Sequence, residues 1–483
     1  MINTAFEAFI FCSYVDIPIK NINIGVDKAP KKMRPLRGQL VKNARRANLT
    51  NRRYDMDALS IAKDILIYIQ KLFESPEFIE AHRCPGHFVR KRKLSILHVI
   101  IYLFYTTKQA MHLNTSNIRI DLPELNFPKV TKQAVSKARQ GILPSLFKEL
   151  FGFSVERFYK SIKTLRKWKK HYNIFAVDGS RLNLPNSKSN FENFGKMFSM
   201  QNPGRMWTAA LCSTIYDVCN DIIVQGFIRP YLASERQAAF DHCKELEDLN
   251  LFNDSILIFD RGYFSDWLFR YFADKGYLCV MRIKNSLNIA KQCTGDSILT
   301  LQGDPKKGTA DITVRVIAVK LDGGEIEYLA TTLFDPSFTP EDFKELYFLR
   351  WPIESKYNEL KNRLLIEEFS GATSISIEQE FYLNLLFTNL AAMIKSSADA
   401  EIRRAENPKN KYRYQANRSF IIGKLKKLVP IIIASDSGIS VLDDIFELAC
   451  INKSQIQPGR KCPRNKRAKY KERKHFNNRK TAV

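Results

Sequence analysis

The stretch from Thr339 to Gly371 constrains the fold of this chain most strongly, because it reads as one long amphipathic helix. Thr339 suits a helix cap, Pro340 suits a first turn, and Asp342 has the spacing of a capping box. At about 100° per residue, one stripe of this helix is apolar and consists of Leu346, Leu349, Ile353, Leu360 and Leu364. The sequence therefore predicts a helix that packs one side on a core.

A polar stripe runs beside the apolar one and holds one acid, two bases and a phenol: Tyr347, Arg350, Glu354 and Lys361. Such a stripe is typical of a solvated surface laced with ion pairs, and it also suits a set of catalytic or binding groups. Pro352 lies inside the pattern and predicts a kink or a restart of the helix. The angular relation is therefore firm only from Glu354 onward.

Two further acids follow predicted strands. The segment NIFAVDGS predicts a strand ending at Asp178, and SILIFDRGY predicts a strand ending at Asp260. Open α/β sheets tend to bind ligands at the carboxyl edge of their strands, although Asp178 followed by Gly179 also suits an ordinary turn. Carboxylates without His or Cys are suited to ions of the magnesium type, two of which serve phosphoryl transfer. Glu354 competes for the third position with Glu359, Glu367 and Glu368.

The order of predicted elements favours an α/β protein. From about residue 170, three strands are followed by helix, strand, helix and strand, which by fold-level analogy is the order of a ribonuclease H-like fold. We expect this catalytic core to comprise 170–284 and 338–372, interrupted by a β-strand insertion at 285–337. Apolar residues at three- and four-residue spacing predict an all-helical N-terminal domain at 56–150 and a helical C-terminal region at 373–455.

Both ends of the chain are strongly basic. Residues 28–53 hold ten Lys or Arg and no acid, and residues 460–480 hold eleven against one acid. They predict a basic arm at 1–55 and a basic disordered tail at 456–483 that contact phosphates, or else merely solubilise the chain. The net charge of +26 on a chain that is 45% hydrophobic favours a globular protein with a polyanionic partner. Nucleic acid is the leading candidate for this partner, ahead of a ribosome or an anionic membrane surface.

The segment KVTKQAVSKARQGI predicts a short helix capped by Thr131. It would present polar and basic side chains outward, namely Lys132, Gln133, Ser136, Lys137 and Arg139. A DNA-recognition helix and an ordinary amphipathic surface helix both fit this pattern.

Cysteine usage and hydropathy favour a cytoplasmic protein. The nine cysteines include no Cys-x-x-Cys pair, which argues against a disulfide framework or a zinc ribbon. His82, Cys84 and His87 form a compact group without an evident fourth ligand, so a zinc site is disfavoured. No apolar run approaches the roughly 20 residues that a membrane span needs.

The spacing of the polar stripe matches a known signature. Tyr347, two residues, Arg350, three residues, Glu354, six residues and Lys361 resemble the Tyr-Arg-Glu-Lys signature of the insertion-sequence-four family of bacterial DDE transposases. The strings DGS and DRGY resemble the family's usual surroundings of its two aspartates. The resemblance spans roughly Ile174 to Lys361.

This resemblance implies that Asp178, Asp260 and Glu354 are the catalytic, metal-binding triad for two Mg²⁺ ions, with Mn²⁺ as a substitute. It implies that Tyr347 and Arg350, together with Lys361, hold DNA phosphates. Further candidates for contacts with the DNA backbone, equally explained as surface charge, are Arg261, Arg282 and Lys284.

The implied function is a transposase that acts as a homodimer and is associated with the nucleoid. Its N-terminal region would bind the terminal inverted repeats of an insertion sequence. The enzyme would then cleave with water and join the freed 3′ hydroxyl to target DNA. The alternatives are a ribonuclease H-like nuclease without strand transfer and a DNA-binding protein derived from a transposase.

One departure from the family concerns a flipped base, which well-studied members stack on a tryptophan in the β insertion. None of the four tryptophans lies at 285–337. Tyr328 and Phe334 are the aromatic candidates to replace it, and a hairpin intermediate is left open.

Overall fold

The structure is a computed structural model that describes residues 56–457, except for 106–107, 199–203, 205, 322 and 436–437. The predicted basic arm at 1–55 lies outside the described residues. So does the predicted tail, apart from its first two positions. The described residues belong to one compact unit that begins at Tyr54.

Helices precede the sheet. They are α1 (Ala58–Glu74), α2 (Pro76–Ala81), α3 (Ile96–Tyr105), α4 (Met111–Asp121), α5 (Lys132–Arg139) and α6 (Ser145–Ser161). The side chain of Asp57 caps α1 by accepting a hydrogen bond from the amide of Ser60. Ser75 ends α1 and caps α2, whose first residue is Pro76. The apolar periodicity of this region therefore forms helices, as predicted.

A mixed sheet follows, with helices between its strands. Its strands are β1 (Asn173–Leu184), β2 (Met197–Phe198), β3 (Met206–Asp217), β4 (Ile222–Pro230), β5 (Ser255–Phe259), β6 (Leu278–Ile283), β7 (Asp296–Leu301), β8 (Ile312–Lys320) and β9 (Ile326–Thr331). The helices between them are α7 (Lys188–Phe194), α8 (Glu235–Glu245), α9 (Asp266–Asp274) and α10 (Asn288–Gln292). The chain is thus a mixed α/β protein.

The strand order places the acidic strand ends in the middle of the sheet. From one edge the order is β2, β3, β1, β5, β6, β9, β8 and β7, with β4 also paired to β3. Strands β1, β5 and β6 are parallel to one another. Strand β3 is antiparallel to β1, and β4 is antiparallel to β3. The strands predicted as an insertion join this same sheet, because β9 pairs with β6 and β8 pairs with β9. They extend the central sheet and do not form a separate layer.

The long helix predicted at 339–371 is two helices, α11 (Pro340–Phe348) and α12 (Pro352–Asn362). Thr339 and Asp342 form the predicted capping box at the start of α11. The break has the cause that the sequence suggested, since Pro352 lacks an amide hydrogen and occupies the first turn of α12. The restart, not a continuous helix, sets the direction of Glu354.

The C-terminal part is helical, with α13 (Ser374–Arg404), α14 (Arg418–Ala434) and α15 (Val441–Ile451), and a small hairpin of β10 (Arg413–Ala416) and β11 (Lys453–Ile456). Helix α13 is buried along much of its length and contacts α1, α6, α14 and strand β4. The helices that precede and follow the sheet therefore share one core. Among the described helices, none has the length and apolarity to cross a membrane.

Candidate active site

Asp178 and Asp260 occupy neighbouring positions on adjacent parallel strands. The pairing of β1 with β5 ends at Val177 opposite Phe259; Asp178 is the next residue of β1, and Asp260 is the first residue after β5. Adjacent strands lie about 4.8 Å apart, so both carboxylates belong to the same edge of the sheet. One detail of the prediction is wrong: β1 does not end at Asp178 but continues to Leu184, because β3 still pairs with it.

Arg350 links two of the three predicted acids. Its Nη2 atom donates to Oε1 of Glu354 at 3.1 Å, and its Nη1 atom lies 3.8 Å from Oδ2 of Asp178. The Arg350 side chain is buried, and its Nε atom has no hydrogen-bond partner among the described residues. The guanidinium is therefore a cation lodged between two carboxylates.

Asp260 has partners of its own, a tyrosine hydroxyl and an arginine. The hydroxyl of Tyr347 donates to Oδ1 of Asp260 at 3.2 Å, and Nη1 of Arg282 lies 3.8 Å from the same oxygen. Arg282 also pairs with Glu327 at 2.7 Å. The structure thus brings together Asp178, Asp260, Glu354, Tyr347, Arg350 and Arg282.

Helix α12 is fastened to strand β1 beside Asp178. The hydroxyl of Tyr357 donates to the main-chain carbonyl oxygen of Asp178 at 2.6 Å, and Lys361 donates to Oγ of Ser180 at 2.8 Å. Glu354 lies one turn before Tyr357 on the same helix. These two bonds therefore hold Glu354 over the edge of the sheet that carries the aspartates.

The opposite side of α12 is held by a buried ion network. Nζ of Lys356 lies 2.6 Å from Asp221 and 3.5 Å from Glu359. Arg418 of α14 pairs with both of these acids. A buried cation with two acidic partners fixes the rotation of the helix, because any turn about its axis would leave charges unpaired.

The electrostatics of the edge favour a cation. Burial raises the pKa of Asp178 to about 6, and the charges of Glu235 and Asp260 also raise it, against the lowering effect of Arg350 and of the Gly179 amide. In the part of the chain that the structure describes, no three His, Cys, Asp or Glu side chains are grouped so that they could hold a metal ion. The guanidinium of Arg350 occupies the space between two of the acids instead.

Comparisons with known proteins find a transposase domain in this part of the chain. The profile of the family described as "Transposase DDE domain" matches residues 169–390, which contain all three acids. A curated relative, "Transposase InsG for insertion sequence element IS4" of Escherichia coli (strain K12), is 23% identical over 324 residues, covering 62% of this chain and 70% of the relative. Residues 169–390 thus match a transposase DDE domain, and the chain is similar to a transposase of an insertion-sequence-four element. Members of this family are enzymes that act on DNA and generally use divalent metal ions.

A solved structure also resembles this transposase over most of its length. The cryo-EM structure of the piggyBac transposase synaptic complex with hairpin DNA aligns with a TM-score of 0.44 and 9% sequence identity. The alignment covers 84% of this chain and 86% of that one.

The transposase has a basic groove away from the acids. It has a volume of about 880 Å³ and is lined by the 86–94 loop and by α5. The charged residues that line it are all cations: Arg90, Arg92, Lys93 and Lys137. These four and Lys132 are exposed and have no ion-pair partner within the described residues. Two of the three basic residues predicted on α5 thus face solvent.

Arg139 corrects the prediction for α5. It was expected to face outward, but it is fully buried and pairs with Glu380 of α13 at 3.2 Å. It also donates to Gln379 at 3.1 Å and to Ser370 at 2.9 Å. The last turn of α5 packs against the start of α13, which turns this side chain into the protein interior. A basic residue in a short amphipathic pattern gives no sign of such a partner.

The remaining residues that the sequence singled out lie outside the group of contacts around the acids. Arg261 and Lys284 are exposed near the carboxyl ends of β5 and β6. His82 is buried against Ser145 and Glu149, so its ring nitrogens already have partners and the zinc reading stays disfavoured. Phe334 is 40% exposed, and Tyr328 lies on β9 opposite Ile283.

Sequence reasoning missed three residues at the site of the transposase. Tyr357 and Tyr263 are buried hydroxyls beside the aspartates, and Glu235 lies at the start of α8. Tyr357 lies three residues after Glu354, a helical spacing that could have suggested a contact with the same strand. Glu235 gives no such local signal, because the aspartates are distant from it in the chain, whereas Tyr263 lies in the DRGY string, three residues after Asp260.

Proposed function

We propose that Asp178, Asp260 and Glu354 form one catalytic centre on a ribonuclease H-like core. The order β4, β3, β1, β5, β6, with three antiparallel strands followed by two parallel crossovers, supports this fold. The observation that carries the proposal is the register of β1 and β5, which sets the two aspartates side by side under helix α12. This centre cleaves DNA at the element ends and joins the freed 3′ hydroxyl to target DNA.

The residues of the centre fit divalent metal ions. All of the donors are carboxylate oxygens, which is the set that Mg²⁺ and Mn²⁺ prefer. Arg350 is a stand-in cation between two of them, and its Nε atom lacks a partner among the described residues. We propose that Asp178, Asp260 and Glu354 hold two Mg²⁺ ions. Bound there, the ions would generate the oxygen nucleophile and stabilise the leaving oxygen.

The cationic residues around the centre hold the DNA backbone. Arg350 offers a planar fork that matches a phosphate as well as it matches a carboxylate, so it can exchange one for the other. Lys361 adds a point charge near Ser180, and Tyr347 adds a neutral donor near Asp260. We propose that these three residues grip the phosphates next to the cleaved bond. Arg261, Arg282 and Lys284 extend the same surface.

The N-terminal helices bind the ends of the element. The groove beside α5 is lined by four cations and no acid, which suits a DNA backbone. We assign DNA binding to 56–150, catalysis to 170–284 and 338–372, the strand extension to 285–337, and support to 373–455. The basic stretches at 1–55 and 456–483 add contacts that do not read sequence. Because two ends must meet before joining, the active form is a homodimer, and DNA affinity keeps it with the nucleoid.

A strand-transfer assay tests the proposed function. A short duplex that carries one inverted repeat with a free 3′ hydroxyl is mixed with supercoiled plasmid, the protein and Mg²⁺. A transposase joins the duplex to the plasmid covalently. Metal-dependent nicking without joined product would indicate a nuclease, and retention of DNA without any reaction would indicate a DNA-binding protein.

The basic groove gives a prediction about affinity. Replacing Lys93 and Lys137 together with Ala should weaken binding to the inverted repeat about tenfold and reduce the slope of log K against log salt by about 2, since two phosphate contacts are lost. Gel shifts at several salt concentrations measure both. Lys160→Ala, which removes a lysine already paired with Glu156, is the control. An unchanged slope in the double variant would exclude the groove from the DNA contacts.

A further inference from the structure

Glu235, at the start of α8, is an acid without a partner among the residues that the structure describes. The helix is capped by Ser234, whose side chain accepts from the amide of Gln237, so Glu235 is not needed as the cap. Its carboxylate makes no hydrogen bond or ion pair within the described residues. In a chain with 76 Lys and Arg against 50 Asp and Glu, an acid without a cation partner among the described residues is unusual.

The carboxylate of Glu235 lies close to strand β1 beside Asp178 and to the loop that follows Asp260. A Cβ atom built on Gly179, the residue after Asp178, would lie 2.8 Å from Oε1 of Glu235. A Cβ atom built on Gly262, two residues after Asp260, would lie 4.0 Å from Oε2. The carboxylate therefore occupies space that a side chain at position 179 would fill, and it does so next to both aspartates.

Tyr263 gives a second, independent observation at the same place. Its side chain is 1% exposed, and its hydroxyl has no hydrogen-bond partner among the described residues. The charged groups that surround this phenol are Asp178, Glu235, Asp260 and Arg350. A buried hydroxyl without a partner is costly unless something polar satisfies it. Here that hydroxyl lies among the acids that face Glu235.

A purely structural reading of Glu235 is available. Acids in the first turn of a helix are stabilised by its dipole, whatever direction they point. This reading explains an acid at position 235 but not its orientation towards two other acids. Like charges held close together repel, and they are stable together when a cation lies between them.

We propose that Glu235 is a fourth carboxylate of the cation site, beside Asp178 and Asp260. The proposal rests on the function proposed above for those aspartates. Ions of the magnesium type keep several of their waters, so Glu235 contributes either as a ligand or as an acceptor for an ion-bound water. Water bound to the ion would give the unpaired hydroxyl of Tyr263 its missing partner.

Metal binding without DNA tests the proposal directly. Mn²⁺ is titrated into the full chain and followed by electron paramagnetic resonance, for the wild type and for Glu235→Gln, Asp260→Asn and Glu341→Gln. We expect Glu235→Gln to weaken Mn²⁺ binding about tenfold or more. Glu341 is a first-turn acid of α11, so Glu341→Gln controls for the helix dipole and should bind like the wild type.

Thermal melting separates the two readings of Glu235. Without metal, Glu235→Gln should melt at the same temperature as the wild type or higher, because one of three mutually repelling acids is neutralised. A pure dipole role predicts a lower Tm. With Mn²⁺, the wild type should gain more in Tm than the variant.

Gly179→Ala gives a second route, since its Cβ would displace the Glu235 carboxylate. We expect weaker Mn²⁺ binding than in Gly152→Ala, whose added Cβ meets nothing within 4 Å. This inference would be overturned if Glu235→Gln and Gly179→Ala both bound Mn²⁺ like the wild type while Asp260→Asn lost Mn²⁺ binding. The proposed catalytic centre would then still stand. Wild-type binding by Asp260→Asn would overturn the proposed centre as well.

Discussion

Replacing Glu354 with Gln lowers the rate of strand cleavage at the element ends by about 10³-fold, if the third acid acts as proposed. A metal ion at a reacting phosphate contributes several kcal/mol to stabilising the transition state, and 1.36 kcal/mol corresponds to a factor of ten in rate. Affinity for the inverted repeat should stay close to that of the wild type, because removing an acid from a basic surface does not weaken phosphate attraction. Cleavage of a labelled duplex and a gel shift measure the two effects.

The other glutamates near α12 provide the control for this prediction. Glu359 is committed to Lys356 and Arg418, and Glu367 accepts from the amide of Asn183. Glu368→Gln makes the same change of charge without touching the three acids, and should cleave like the wild type. Normal cleavage by Glu354→Gln, or loss of cleavage in Glu368→Gln, would assign the third position to another residue.

Replacing Arg139 with Met should lower the free energy of unfolding by about 3–5 kcal/mol, because it leaves the carboxylate of Glu380 buried without its cation. The side chain of Arg139 joins α5 to α13 through Gln379 and Ser370 as well. Guanidinium unfolding, followed by circular dichroism, gives this free energy for wild type and variant.

Lys137→Ala is the matched control on the same helix. Its side chain is exposed, so its stability should stay within about 0.5 kcal/mol of the wild type, while its DNA affinity falls. The prediction would be contradicted if Arg139→Met had normal stability and no longer bound the inverted repeat. That result would indicate that Arg139 contacts DNA.

The sequence predicts most of the site because its signals are local. An apolar run that ends in an aspartate places Asp178 and Asp260 at the carboxyl edge, and the helical spacing from Tyr347 to Lys361 groups the residues around Glu354. Pro352 predicts the break between α11 and α12. The apolar and polar stripes are nevertheless each divided between α11 and α12, and Arg350 lies in the turn between these helices. Its contact with Asp178 and Glu354 follows from this turn.

The features that the sequence does not predict depend on distant pairings. Strands β7 to β9 look like a separate insertion because nothing in their own sequence shows that β9 pairs with β6. Arg139 looks like a surface residue until α13, more than 200 residues later, supplies Glu380. Glu235 approaches the two aspartates only after β1, β5 and α8 have assembled. Each of these cases is a contact between segments whose proximity only the fold creates.

The claim that a metal ion held by these three acids acts on the scissile phosphate is tested most directly by a sulfur substitution in the DNA. The bridging 3′ oxygen that leaves during cleavage is replaced by sulfur, and cleavage is measured with Mg²⁺ and with Mn²⁺. Mg²⁺ prefers oxygen strongly, whereas Mn²⁺ tolerates sulfur better. We predict that the sulfur substrate is cut slowly in Mg²⁺ and that Mn²⁺ restores its cleavage. Equal cleavage of the oxygen and sulfur substrates in Mg²⁺ would contradict this account.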